Sequence, residues 1–175
     1  MLIDLSGVLS EQHRGIDTIA ELEMNTFQNG KSVFPILKKE PVHIRVSHLK
    51  KRELSVEGET DLTIQIPCDR CLADAPVEFR LKFDRHIDMD DKDAVHAEEL
   101  DEANYIDGYD LDVDRLLYNE ILVGWPMKVL CREDCKGICS VCGQNLNEGT
   151  CNCEDTGLDP RMSVIRDLFR NFKEV

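Results

Sequence analysis

No run of apolar residues in this sequence approaches the roughly 18 needed to cross a bilayer as a helix, so no membrane span is expected. The opening MLIDLSGVLS lacks the basic n-region of a secretory signal, and Asp4 interrupts its apolar run almost at once. The expected compartment is the reducing cytoplasm, where close cysteines hold metal more readily than each other. Basic residues are scarce too. Lys and Arg number 21 against 35 Asp and Glu, a net charge of -14, which speaks against general affinity for nucleic acid. Aromatic residues make up only 6% of the chain, although the 42% apolar share is adequate for a core. The 175 residues allow one ordinary domain plus a small appendage, not two full domains. There is no internal repeat of solenoid length. Nor is there a Gly-rich phosphate loop, a nucleophile elbow or a metal-binding His pair on a helix. The histidines (His13, His43, His48, His86, His96) are scattered, and none pairs with a cysteine at ligand spacing.

What charge there is sits in one place. From Asp84 to Asp114 thirteen acidic residues face only Arg85 and Lys92, whereas both flanks are nearly neutral. The stretch DMDDKDAVHAEELDEAN has few apolar residues and no clear period, and reads as an acidic insert over 88–110. Its bland reading is a solvated loop that aids solubility. Its functional reading is a docking arm for a basic partner, through Asp88, Asp90, Asp91, Asp93, Glu98, Glu99, Asp101 and Glu102. Direct RNA contact needs basic surface, and two small candidates exist. One is Lys50, Lys51 and Arg52 beside His48, in an apparent turn; the other is Arg166, Arg170 and Lys173 at i, i+4, i+7 near the end. Each also reads as an ordinary solvated face.

The first half, residues 1–87, has strand periodicity. Val42, Ile44 and Val46 alternate with polar residues, as do the even positions Leu54, Val56, Leu62, Ile64 and Ile66. After Cys71 the apolar parity becomes odd, at Val77, Phe79, Leu81, Phe83 and Ile87. This predicts an antiparallel pair joined by the cysteine-bearing PCDRCLADAP, with Gly58 marking a bulge or bend. Residues 1–40 are less clear: LIDLSG reads as a strand, GIDTIAELEMN as a strand or short helix. Residues 111–175 read differently. DVDRLLYNEILVGWP has helical spacing, with Asp112 as N-cap and Gly124 and Pro126 as the stop. Asp159 and Pro160 open a second helix, whose stripe is Val164, Ile165, Leu168, Phe169 and Phe172. The expected class is α+β: a β-rich antiparallel sheet or partly open barrel, then a helix, a cysteine-rich zinc-knuckle segment and a C-terminal helix packed on the β domain.

The cysteines form four close pairs: Cys68/Cys71, Cys131/Cys135, Cys139/Cys142 and Cys151/Cys153. A tetrahedral zinc ion takes four thiolates at about 2.3 Å, and a gap of a few residues lets one turn supply two of them. Gly143, after Cys142, suits a knuckle in which the chain turns tightly and backbone N–H groups point at sulfur. Two Zn²⁺ sites are expected, Cys139, Cys142, Cys151, Cys153 and Cys68, Cys71, Cys131, Cys135. The rival grouping puts Cys131, Cys135, Cys139 and Cys142 on one ion. A redox role for Cys68 and Cys71 is disfavoured, because a thioredoxin-like CxxC opens a helix and this one follows a strand. Four thiolates leave no open zinc position, which argues against metal-assisted hydrolysis.

Taken together, PCDRCL, YNEILVGWP, LCREDCKGICSVCGQNLN, CNC and DPRMSVIRDLF resemble the bacterial YceD-like family, described as large ribosomal RNA subunit accumulation proteins. The resemblance runs from about Leu54 to the C-terminus. It implies a role in making or maintaining large-subunit ribosomal RNA, without established enzymatic activity. With that role, the acidic segment points to a basic ribosomal protein or large-subunit precursor particle as the expected partner, and no small-molecule substrate is expected. Some members lack much of the 131–153 block, which would make the Cys68/Cys71 site the general feature. The rival functions are a thiol redox enzyme or sensor using Cys68 and Cys71, and a zinc-ribbon adaptor in transcription.

Overall fold

Alternating apolar stretches fold back on one another as an antiparallel meander, the main sheet of the structure. The computed structural model describes residues 1–10, 15–50, 52–89 and 105–153. In chain order its elements are β1 (Leu2–Asp4), α1 (Ser6–Ser10), β2 (Ile16–Ala20), β3 (Thr26–Asn29), β4 (Ser32–Lys39), β5 (Val42–His48), β6 (Glu53–Pro67), β7 (Asp74–Asp88), β8 (Ile106–Asp107), β9 (Asp110–Asp112) and α2 (Val113–Val123). β6 and β7 pair without interruption from Glu53↔Asp88 to Pro67↔Asp74. The other edge of β6 is shared, β5 pairing with residues 54–59 and β4 with residues 62–64. β2 and β3 pair with β5 and β4 in the same way, so two broken strands run beside the long β6.

The break has a local cause. Pro41 has no N–H to give to a ladder, and the register between β4 and β6 shifts at Ile36/Lys38. The Glu40 N–H donates to the Asp61 carbonyl at 2.9 Å, and the Thr60 hydroxyl donates to the Glu40 carbonyl at 2.9 Å, so the kink stays seated on β6. At the far end Asn29↔Ser32 closes a two-residue hairpin, and Gly30 takes φ +58° there.

The expected parities hold. Val42, Ile44, Val46, Leu54, Val56, Leu62, Ile64, Phe79, Leu81, Phe83 and Ile87 are buried, and form one core with Leu116, Leu117 and Ile121 of α2. Each such side chain contributes roughly 1.5–3 kcal/mol on burial. Gly58, expected at a bulge or bend, is neither with respect to β7. It pairs in register with Phe83, and a Cβ there would collide with the Phe83 ring. The glycine admits the ring onto the backbone. Gly58→Ala should therefore destabilise by about 1–3 kcal/mol, the usual range for overpacking. Denaturant unfolding should show that cost largely relieved when Phe83→Leu is added; an undiminished cost would contradict this role.

α2 forms where its period predicts. The Asp112 carboxylate accepts from the N–H groups of Asp114 and Arg115, and the Gly124 N–H closes the end on the Glu120 carbonyl at 3.0 Å. Glu120 is also bound by Arg85 of β7, Nε to Oε1 at 2.6 Å. Just past the helix, Trp125 lies 5.1 Å from Phe27, 5.2 Å from Phe34 and 5.8 Å from Phe79, ring centre to ring centre. The single tryptophan thus fixes the helix exit against β3, β4 and β7, and with it the start of the cysteine segment. In the small sheet β1-β9-β8 the strand read in LIDLSG is present as β1, but the periodicity reading does not anticipate β8 and β9, in the polar stretch IDGYDLD. There only Ile106 and Leu111 are buried, and Gly108 turns the chain at φ +63°. Among the described residues no helix is long and apolar enough to cross a membrane. The expected C-terminal helix lies outside the described residues.

Candidate metal centres

The β6–β7 hairpin ends in a turn that presents two thiols. Beyond Pro67↔Asp74, the Cys68 N–H donates to the Ala73 carbonyl at 2.8 Å and the Leu72 N–H to the Cys68 carbonyl at 2.9 Å. The same turn recurs at Cys139, whose carbonyl accepts the Gly143 N–H at 2.9 Å. Gly143 takes φ +75°, as its position after Cys142 predicts, whereas Leu72 takes φ +61° without a glycine's freedom. A side chain in that region costs about 1–2 kcal/mol, so the knuckle geometry is held by its surroundings.

Those surroundings come from the segment after α2. Asp69 clasps Val129 twice, its N–H donating to the Val129 carbonyl at 2.9 Å and its carboxylate accepting the Val129 N–H at 2.6 Å. Arg70 donates to the Cys135 carbonyl at 2.8 Å and accepts the Ile138 N–H on its own carbonyl at 3.1 Å. Gly137, at φ +80°, lies so close that a Cβ would be 3.1 Å from the Arg70 carbonyl oxygen. Spacing alone does not single out Asp69, Arg70 or Gly137. Their part becomes visible only once the two distant segments meet.

The result is two groups of four cysteines, Cys68, Cys71, Cys131, Cys135 and Cys139, Cys142, Cys151, Cys153, with all sulfurs of a group within 4.8 Å of one another. These are the expected sets; the structure does not assemble the rival set of Cys131, Cys135, Cys139 and Cys142. In the first group Cys68 and Cys135 sulfurs are 3.8 Å apart, and Cys71 and Cys131 sulfurs 3.5 Å. A tetrahedron with 2.3 Å metal–sulfur bonds has edges of about 3.8 Å, so the spacing fits zinc. Cys68, Cys71 and Cys135 are buried and form a small core of their own with Leu130 packed on it. Cys142 is exposed, and Cys151 and Cys153 are half-buried.

Electrostatics splits each group. Burial works against ionising Cys68, but N–H groups of Cys131, Cys71 and Arg70 outweigh it and lower the thiol to about 6. Burial opposes Cys135 as well, yet the Asn147 amide and the Gly137 N–H leave it lowered. The Cys71 sulfur beside it, then burial, push Cys131 up to about 12. At Cys71 the Ala73 N–H favours the thiolate, but burial and the Cys68 and Cys135 sulfurs leave it raised. In the second group the N–H groups of Cys142 and Val141 lower Cys139 to about 6, while the Cys142 sulfur and burial push Cys153 up to about 12. Four thiols this close cannot all ionise alone. A divalent cation among them would favour all four thiolates, and binding it would release protons.

The other expected contact residues are placed less fully. Lys50 and Arg52 are exposed at the β5–β6 turn, and Asp88 ends β7 opposite Glu53. The Met89 N–H donates to the Arg52 carbonyl at 3.1 Å, and Arg52 also donates to the Tyr109 hydroxyl at 3.3 Å. The end of β7 and the β8–β9 turn therefore both lie beside the basic turn. Asp90, Asp91, Asp93, Glu98, Glu99, Asp101, Glu102, Lys51, Arg166, Arg170 and Lys173 lie outside the described residues.

Comparison with known proteins matches these features. The family model described as large ribosomal RNA subunit accumulation protein YceD matches residues 56–169, which takes in most of β6, all of β7 and α2, and all eight cysteines. A relative in Zea mays, named large ribosomal RNA subunit accumulation protein YCED homolog 1, chloroplastic, is 28% identical over 115 residues, covering 63% of this chain and 36% of the relative. The chain thus spans only about a third of that relative's length. No solved structure matches. The chain belongs to the YceD family, whose name links it to accumulation of large-subunit ribosomal RNA.

Proposed function

We propose that the chain is a non-enzymatic, cytoplasmic ribosome-biogenesis factor. Two structural Zn²⁺ ions hold its cysteine segment, and it binds a basic ribosomal protein or a large-subunit precursor particle. The observation that carries this reading is the assembly of all eight cysteines into two compact groups within a YceD chain. The first group would be held by Cys68, Cys71, Cys131 and Cys135, the second by Cys139, Cys142, Cys151 and Cys153. A closed four-thiolate site offers structure and no open position for substrate. The first ion ties the β6–β7 hairpin to the segment leaving α2, so a single rigid platform carries the charged surfaces.

A redox role for Cys68 and Cys71 fits less well, because Cys68 and Cys71 each have a sulfur at contact distance from the other segment, on Cys135 and Cys131. The transcription adaptor gains nothing from the family match. The acidic segment suits a basic protein better than a phosphate backbone, and each Cys₄–zinc centre would add about -2 of charge. Lys50, Lys51, Arg52, Arg166, Arg170 and Lys173 remain the candidates for any direct RNA contact. Affinity purification at low salt, with RNA and protein both identified, should recover large-subunit ribosomal proteins or precursor RNA. Recovery of transcription components, or of thiol-oxidised substrates trapped on Cys68, would overturn the reading.

A further inference from the structure

Asn147 lies in the turn between the two halves of the second cysteine group, yet it touches the first. Its Nδ2 donates to the Cys135 sulfur at 3.3 Å and to Asn145 Oδ1 at 2.9 Å. Its Oδ1 accepts the Lys136 N–H at 2.8 Å and Arg132 Nη2 at 2.9 Å. A backbone N–H can only donate, so the amide oxygen must face Lys136 and the NH₂ must face sulfur. The same turn is strapped to the connector between the groups. Cys139 donates to the Gln144 carbonyl at 2.8 Å, Leu146 to the Gly137 carbonyl at 2.9 Å, and Ile138 bridges Asn145. Gly137, in that connector, is the residue seated on Arg70 of the first knuckle.

We propose that Asn147 is a positioning residue that couples the two metal centres, so that loading the second tightens the first. The inference rests on the reading of both groups as structural metal centres. Cys151 and Cys153 follow the turn and Cys139 and Cys142 precede it, so an ion among these four closes the turn at both ends. Closure restricts the chain that carries Asn147 and keeps its amide on Cys135. An N–H donated to a metal-bound thiolate stabilises its charge and fixes its direction; loss of such an outer contact typically costs 10–100-fold in metal affinity. Asn147 carries no metal itself. It makes the first centre sensitive to the second.

The test is a Co²⁺ titration of the full chain in competition with a chelator, read by thiolate-to-cobalt absorption. Asn147→Ala removes the donor, and Asn147→Asp keeps an acceptor for Lys136 while placing a carboxylate beside sulfur. Both should bind two ions at saturation, with the first centre weakened about 10–100-fold and, because coupling is reciprocal, the second weakened equally when the first is loaded. Cys142→Ser with Cys151→Ser, which removes the second centre, should weaken the first to a similar degree, and adding Asn147→Ala should then cost nothing more. Unchanged hydrogen exchange in β6 and β7 would separate these effects from misfolding. Independent binding of two ions, with the first centre indifferent to Asn147 or with losses that simply add, overturns the coupling. A wild-type chain that takes up no cobalt overturns the metal reading beneath it, and is told apart by the missing absorption.

Discussion

Cys68→Ala should cost the chain one metal ion and loosen two stretches far apart in sequence, residues 66–76 and 125–136. Cys68 is fully buried at the end of β6, where its sulfur faces that of Cys135 across 67 positions of chain. Among the described residues the local core of the clamp is three cysteines with Leu130, tied further by the Asp69–Val129 pair, the Arg70 contacts and the close seat of Gly137. A structural zinc contributes on the order of 10 kcal/mol of apparent binding energy, which exceeds what those hydrogen bonds supply at about 1 kcal/mol each. Hydrogen exchange should therefore rise in both stretches together, while β5 and the middle of β6 keep their protection. Opening confined to 66–76 would count against a shared ion. Cys139→Ser differs in kind: it should lose the other ion and loosen the 139–153 turn, with the sheet intact.

A second large effect is expected at the acidic segment. Converting Asp88, Asp90, Asp91, Asp93, Glu98, Glu99, Asp101 and Glu102 to their amides removes eight of the thirteen acidic side chains between Asp84 and Asp114. Asp88, the member of this set among the described residues, is exposed. Attraction between a segment of this charge and a basic protein acts mainly on the association rate, and salt screens it over a Debye length of about 8–10 Å. Co-purification of the basic partner should fall, its salt dependence should flatten, and large-subunit RNA should decline in cells relying on the variant. Normal subunit levels with partners retained would make the segment a solubility loop. The basic residues at 50–52, 166, 170 and 173 would then be the next surface to change.

How far the sequence carried these conclusions depends on the kind of signal each element leaves. β5, β6 and β7 bury one face, so a period of two marks them, and the change of parity across Cys71 places the turn between paired strands. α2 has both a stripe and caps, and its limits were readable to the residue. β3 and β4 were harder, because Pro41 and the shift at Ile36/Lys38 break the alternation, and Val33 and Leu37 stand exposed on it. β8 and β9 are too short for any period to register. Gly58 illustrates a different limit: a glycine in a strand announces a close approach, but not whether it comes from backbone or, as here, from the Phe83 ring. For the cysteines, spacing was enough to pair them and to favour one division into fours. The supports of that division, Asp69, Arg70, Gly137 and Asn147, act across 60 or more positions or between the two groups, where no local pattern reaches.

The central claim is that eight thiols in two groups hold two structural zinc ions on which the platform depends. Elemental analysis of the full chain, purified in reducing buffer without chelator, tests it most directly. The account predicts close to two zinc ions per chain, with the eight thiols resisting alkylation until the metal is stripped. One ion or none, or thiols that alkylate freely in the untreated protein, would contradict it.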